Sequence, residues 1–231
     1  SQNTTVVELF PNSEPWNFYG KPIYLERSDN QFIRLIMQDN AGLLPQKYIN
    51  RPFWRIYFES FQYSDQQIKQ IQGELNDWQD KDQDSWILGD REPTALANEL
   101  NYRNYPIQLS QEIDNFFIEK QDLLQSIKRN STHYSVGDFN LLHAPTTLIT
   151  HLFPTNEATE IISQRENNTL TKQTLVNLLG DSFDNEIYGF YRASNIKLTL
   201  QVQHHDIQLQ ETIEIEVQPR QSEPLLIFSR Y

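Results

Sequence analysis

The sequence predicts an α+β fold: a mostly antiparallel sheet that includes a C-terminal β-hairpin over about residues 196–217, packed by several amphipathic helices. Three observations predict it. In Ile196–Val217 (IKLTLQVQHHDIQLQETIEIEV), apolar and polar residues alternate on both sides of His204-His205-Asp206. Period-two alternation marks a half-buried strand, because successive side chains point to opposite faces. Folding the two runs about His205-Asp206 sets Ile196 against Ile215, Leu198 against Ile213 and Val202 against Leu209, all on one face, so the register agrees with itself. Leu200 opposite Glu211 departs from the pattern and predicts a bulge or an edge. Elsewhere strands and helices are interspersed without a strict βαβ rhythm, which favours antiparallel pairing over a doubly wound sheet.

Taken in order, Thr4–Phe10 reads as a first strand. Pro11–Pro22 is an irregular aromatic connection with three prolines. Ile23–Glu26 and Phe32–Gln38 read as short strands around Ser28-Asp29-Asn30, and Asn40-Ala41-Gly42 ends the second. Phe53–Gln62 (FWRIYFESFQ) reads as a strand with aromatic residues on both faces. Ser64 and Gln67 form a capping box, and Ile68, Ile71, Leu75 and Trp78 then recur at helical spacing. Gln79–Glu92 is an acidic loop, and Thr94–Leu100 a short helix after Pro93. Ser110 opens a long helix to about Lys128, with Ile113, Phe116, Phe117, Leu123, Leu124 and Ile127 on one face and Lys128-Arg129 at the end the macrodipole favours. Phe139–Leu142 and Thr147–Phe153 read as strands broken at Ala144-Pro145. Thr155–Gln164 is helical, and Thr171 opens a helix that Gly180 closes. Pro219–Pro224 turns into a last strand, Leu225–Phe228. With no repeat and no long linker, the 231 residues read as a single domain, with a seam suggested near 102–106.

Composition narrows the function. The chain carries 31 acidic and 19 basic residues, a net charge of -12, so its averaged field repels nucleic acid and anionic membranes and favours a protein partner. Mean hydropathy is -0.64 and no apolar run approaches the ~20 residues a spanning helix needs, so no membrane partner is expected. There is no cysteine, which removes disulfides, thiolate metal sites and cysteine nucleophiles, and fits a cytoplasmic location. With seven glycines, no P-loop and no G-x-G-x-x-G phosphate cradle occurs, nor a G-x-S-x-G elbow, and no cofactor is expected.

Four groups of residues remain as candidates. In Asp80-Lys81-Asp82-Gln83-Asp84, carboxylates at alternate loop positions suit a hard cation such as Ca²⁺, and Ile87 stands where an EF-hand loop has its apolar residue. Ser85 at the glycine position and Arg91 at the bidentate-glutamate position oppose that motif. Asp80, Asp82 and Asp84 therefore read first as a solvated loop and only second as a metal site. Arg55, Tyr57 and Glu59 would share one strand face at ~6.6 Å steps and suit a small polar ligand or acid–base chemistry; a self-satisfied Arg–Glu pair under a helix competes. His204 and His205 sit at the hairpin tip, while His133, His143 and His151 match no zinc spacing and read as surface or hydrogen-bonded residues. Lys47–Tyr57 interleaves cations with aromatics as single-strand binders do, against the global charge.

The expectation is a non-catalytic cytosolic binding protein: an adaptor, assembly factor or complex subunit acting through protein–protein contacts. Aromatic anchors at Pro15–Tyr19, Trp16 and Tyr19 among them, and at Phe53–Tyr57 would serve it. The alternative is a small metabolic enzyme or ligand carrier with a pocket lined by Arg55, Tyr57 and Glu59.

Overall fold

The computed structural model describes residues 16–28, 31–79, 105–134, 137–180, 183–184, 187–218 and 225–230. Thr4–Phe10, Thr94–Leu100 and Pro219–Pro224 lie outside them wholly or in large part. The fold is α+β with a mostly antiparallel main sheet. The chain divides into two compact units, Ser1–Leu43 with Val136–Thr146 and Ser163–Tyr231, and Leu44–Ser135 with Thr147–Ile162.

In chain order the strands are β1 (Ile23–Ser28), β2 (Gln31–Asp39), β3 (Leu44–Pro45), β4 (Ser131–Thr132), β5 (Phe139–Asn140), β6 (Tyr188–Gly189), β7 (Asn195–His204), β8 (Ile207–Val217) and β9 (Leu225–Arg230). The first unit carries a five-stranded sheet in the order β1-β2-β7-β8-β9, antiparallel throughout. The β7–β8 hairpin has the register its alternation dictates: Ile196 faces Ile215, Leu198 faces Ile213 and Val202 faces Leu209. His205 supplies the left-handed residue of the two-residue turn, at φ 51°. Leu200 faces Glu211 with no slip in register, so the predicted bulge is absent. Glu211 instead pairs with Arg230 of β9, which answers its charge without breaking the ladder. The real irregularities lie at Tyr24/Glu26 in β1–β2 and at Glu214/Ile215 in β8–β9.

Residues opposite one another share a face, so the sheet largely sorts its side chains, the Glu211–Arg230 pair on the aliphatic face excepted. One face holds Ile33, Leu35 and Met37 of β2, Ile196, Leu198, Leu200 and Val202 of β7, Ile207, Leu209, Ile213 and Ile215 of β8, and Leu225 and Ile227 of β9. Met37, Ile196 and Ile215 are buried on it, whereas Leu200, Ile207 and Leu209 toward the hairpin turn are exposed, as are Leu225 and Ile227 on the edge strand β9, opposite Val217 and Ile215. The opposite face is polar yet tighter. Thr199 and Thr212 hydroxyls bond at 3.0 Å, and Arg34, Gln201 and Gln210 form a chain of hydrogen bonds. Thr199, Gln201 and Thr212 are buried.

The first unit also holds helix Lys172–Leu179. Thr171 caps it, its hydroxyl accepting from the Thr174 N–H at 3.2 Å, and Gly180 ends it at φ 52°. A parallel two-residue ladder joins β5 to β6.

The second unit is built on buried aromatics and aliphatics, and three sequence expectations are corrected there. Phe53–Gln62 is not a strand: Pro52–Ser60 is an α-helix with proline in its first turn. Phe53, Trp54, Tyr57 and Phe58 recur at helical spacing and are buried, so packing of that stripe overrides the β preference of the individual residues. The long helix from Ser110 is broken into Ser110–Ile113, Asp114–Phe117 and Gln121–Asn130. Lys120 leaves helical geometry (φ -125°, ψ 61°) between the buried Phe117 and the buried Leu123 and Leu124. Thr146–Leu152 is a helix rather than a strand, burying Leu148, Ile149 and Leu152. The helix Asp65–Gln79 starts at its predicted box: Gln67 Oε1 accepts from the Ser64 N–H at 2.9 Å, and Ile68, Ile71 and Leu75 are buried. Helix Thr155–Glu166 runs close to its predicted span. No described helix is long and apolar enough to cross a membrane.

Candidate functional site

The site with the most chemistry on the page begins where the chain enters the sheet of the first unit. Phe18–Gly20 runs alongside the end of β2: the Gly20 N–H donates to Met37 O and the Asp39 N–H to Phe18 O, both at 2.9 Å. Gly20 holds φ 77° there, a conformation costly to any side chain. This places Phe18 and Tyr19 beside Asp39.

The Asp39 carboxylate is fully buried and fully used. Oδ1 accepts from the Ala41 N–H at 2.9 Å and the Ala193 N–H at 3.0 Å, while Oδ2 lies 2.5 Å from His143 Nδ1. That short contact fixes the ring. Gln38 Nε2 donates to His143 O at 2.9 Å, and Gly42 packs against the same carbonyl so closely that a Cβ would sit 2.1 Å from it. One carboxylate thus ties together three stretches far apart in sequence.

In front of His143 opens a cleft of about 350 Å³, lined by Trp16, Phe18, Tyr19, Lys21, Leu142, His143, Arg165, Glu166, Asn168, Leu170 and Arg192. Two of its aromatic rings carry a cation: Arg165 lies 3.9 Å from the Tyr19 centroid and Arg192 4.2 Å from that of Phe18. Arg165 is 6% exposed. Its Nη1 donates to Ala144 O and its Nη2 to Thr146 Oγ1 at 2.8 Å. Its Nε is buried with no hydrogen-bond partner. Burial pulls the guanidinium down to about 10, against the opposing pull of Tyr19 and Glu166. Lys21 stands 3.7 Å from Glu166 at the exposed rim.

Of the residues singled out in the sequence, Trp16, Tyr19 and His143 are brought together on this cleft. Arg55 and Glu59 are brought together but Tyr57 is turned away from them. On the helix Arg55 pairs with Glu59 at 2.8 Å and with Asp65 at 2.5 Å on the surface, while Tyr57 is fully buried. The Tyr57 hydroxyl donates to Ser126 Oγ at 2.6 Å and accepts from Asn130 Nδ2 at 3.3 Å, and burial raises its pKa. The burial of Phe53, Trp54 and Tyr57 also removes the aromatic faces that Lys47–Tyr57 offered for base stacking, and Lys47 and Arg51 both lie over Tyr48. Asp80, Asp82 and Asp84 lie outside the described residues. Among the described residues no group of three or more metal-ligating acids or histidines occurs.

His151 lies 2.8 Å from Ser60 Oγ, but the serine proton is committed to Tyr57 O at 2.7 Å. The hydroxyl therefore accepts from the imidazole instead of giving it a proton, the reverse of what an activated nucleophile needs. His151 stacks on Phe61 at 4.6 Å between centroids and serves packing.

No protein-family model matches the chain. No curated protein matches it either. A solved structure does: a chain in the crystal structure of the GspK-GspI-GspJ complex from the Type 2 Secretion System of enterotoxigenic Escherichia coli. The likeness covers 99% of this chain and 92% of that one, with a TM-score of 0.63 and 11% sequence identity. It is a likeness of fold.

Proposed function

We propose that this chain is a non-catalytic subunit of a multi-protein assembly and works through protein–protein contacts made by the exposed part of its sheet's apolar face. One observation carries this reading. Leu200, Ile207, Leu209, Leu225 and Ile227 share one face and are 41–66% exposed, while the polar face of the same strands holds Thr199, Gln201 and Thr212 at 9% or less. A sheet that shields its polar side chains and leaves its aliphatic ones in water has the arrangement of a surface awaiting a partner. That the neighbour in fold sits in a complex of several proteins supports the reading. The occupant is an amphipathic segment of a different polypeptide. A second copy would bring another net charge of -12 to the same place.

The test is co-purification from the native cell, read by mass spectrometry, with wild type, Leu209→Glu and Gln208→Glu. Leu209 and Gln208 are both exposed and point to opposite faces, so neither change disturbs the packed end of the sheet. Leu209→Glu loses the partner set that wild type and Gln208→Glu retain. The same partners on all three would refute the proposed face.

A further inference from the structure

We infer that the free edge of β9 takes up an extended segment of the partner polypeptide as a further strand, and that this segment alternates aliphatic with basic side chains. The inference rests on the reading of the chain as a subunit held by protein–protein contacts, and names the form and charge of what it holds. The difference between the two edges of the sheet is the first reason. β1 and β9 are its outer strands. β1 is guarded: Glu26 and Arg27 are exposed along it, and its register slips between Tyr24 and Glu26. Charges and bulges are how an edge strand avoids unwanted pairing. β9 has neither over Leu225–Ile227, which pairs in unbroken register with Val217, Glu216 and Ile215. An edge strand offers a row of outward N–H and C=O groups, and among the described residues β8 is the one strand paired with β9.

The second reason is what flanks that edge. A strand laid against β9 continues both faces of the sheet. On one face its aliphatic residues lie beside Leu225 and Ile227, which are 57% and 65% exposed. On the other they lie beside the half-buried Leu226 and Ser229, with Glu216 and Glu214 one strand further in. Strands stand about 4.8 Å apart, so a lysine or arginine stem lying along Leu226 carries its charge to Glu216. The cross-strand neighbours of Glu216 are Asn195 and Leu226, neither of them charged. The net charge of -12 draws a basic segment in and disfavours a second copy of this chain, which brings the same excess of acid. A helix would cover Leu225 and Ile227 but leave the outward amides of β9 unpaired.

The experiment reads amide hydrogen exchange of the full chain by mass spectrometry, on the fragments covering β9 and β1. Three end-blocked peptides serve as probes: a short one alternating valine and lysine, the same peptide with every amide N-methylated, and one alternating valine and glutamate. The valine–lysine peptide slows exchange of β9 saturably and at least fivefold and leaves β1 unchanged. The N-methylated peptide, with no N–H to donate, gives no protection, and the valine–glutamate peptide needs at least tenfold higher concentration. Glu216→Gln keeps the side chain's size and the melting midpoint, and weakens the valine–lysine peptide at least threefold. The inference is overturned if that peptide leaves β9 unprotected, if it protects β1 equally, if the N-methylated peptide protects as well, or if Glu216→Gln binds as wild type does. Protection of β9 that rises with chain concentration and no peptide would assign the edge to a second copy and overturn it too. Leu209→Glu retains the protection. Protection that holds while Leu209→Glu keeps its partners therefore strikes the Leu209 surface alone, and missing protection with partners lost in Leu209→Glu strikes the edge alone.

Discussion

Replacing Gly42 by alanine tests the packing that holds the cleft. The added Cβ would lie 2.1 Å from His143 O, 2.3 Å from its carbonyl carbon and 2.7 Å from the Ala144 nitrogen. All three are backbone atoms, so no side chain can swing aside. Overpacking of this kind costs about 1–3 kcal/mol. Moving the His143 carbonyl also strains the Gln38 Nε2 bond to it, worth about 0.5–1.5 kcal/mol. The expected loss is roughly 2–4 kcal/mol, a sizeable part of the ~5–15 kcal/mol that holds a domain together. At about 2–4 °C per kcal/mol for a chain of this length, the melting midpoint falls by roughly 4–16 °C. Gly137→Ala is the internal control, since nothing lies within 4 Å of its Cβ position, and it should stay within about 0.5 kcal/mol of wild type. Urea unfolding followed by circular dichroism measures both. A Gly42→Ala protein as stable as Gly137→Ala would refute the close approach of the two backbones.

Two further predictions concern the second unit. Tyr57→Phe leaves Ser126 and Asn130 short of a partner and should cost about 1–3 kcal/mol in urea unfolding, whereas Arg55→Ala breaks only exposed pairs and should cost under about 1 kcal/mol; equal costs would contradict the separation of these two residues by the helix. His151 has its pKa lowered from 6.5 by burial, so the unfolded chain takes up its proton first. Its contribution to stability is complete above about pH 6.5 and is lost as pH falls from there through its lowered folded value, and His151→Gln should flatten that slope in melts recorded across this range.

What could be read in the sequence depended on how local the cause was. The β7–β8 register was legible because period-two alternation and a two-residue turn determine each other within 22 residues. The Thr171 cap, the Gly180 stop and the Ser64–Gln67 box were legible for the same reason. Phe53–Gln62 misled because Phe, Trp, Ile and Tyr favour strands one by one. The decisive signals were Pro52 at the start and the spacing of Phe53, Trp54, Tyr57, Phe58 and Phe61, one stripe of a helix. Thr147–Phe153 misled likewise, with Pro145 just ahead of the helix and Leu148, Ile149 and Leu152 forming its stripe. Of the cleft, the aromatics Trp16 and Tyr19 drew notice, and His143 only as a surface or hydrogen-bonded residue. Arg165 and Arg192 are ordinary charged residues in sequence, and nothing short of the fold brings them to Tyr19 and Phe18. The Asp39–His143 pair spans 104 positions and leaves no local trace.

The order β1-β2-β7-β8-β9 has a consequence for synthesis on the ribosome. β2 ends at Asp39 and its neighbour β7 begins only at Asn195, after the whole of the second unit. At about 5–20 residues per second, the β1–β2 ribbon waits on the order of ten seconds or more with one edge unsatisfied. The second unit, complete by Ile162, is free to fold during that delay. The nascent protein therefore passes through a stage in which its tail is finished last and its opening strands are the part most in need of a chaperone.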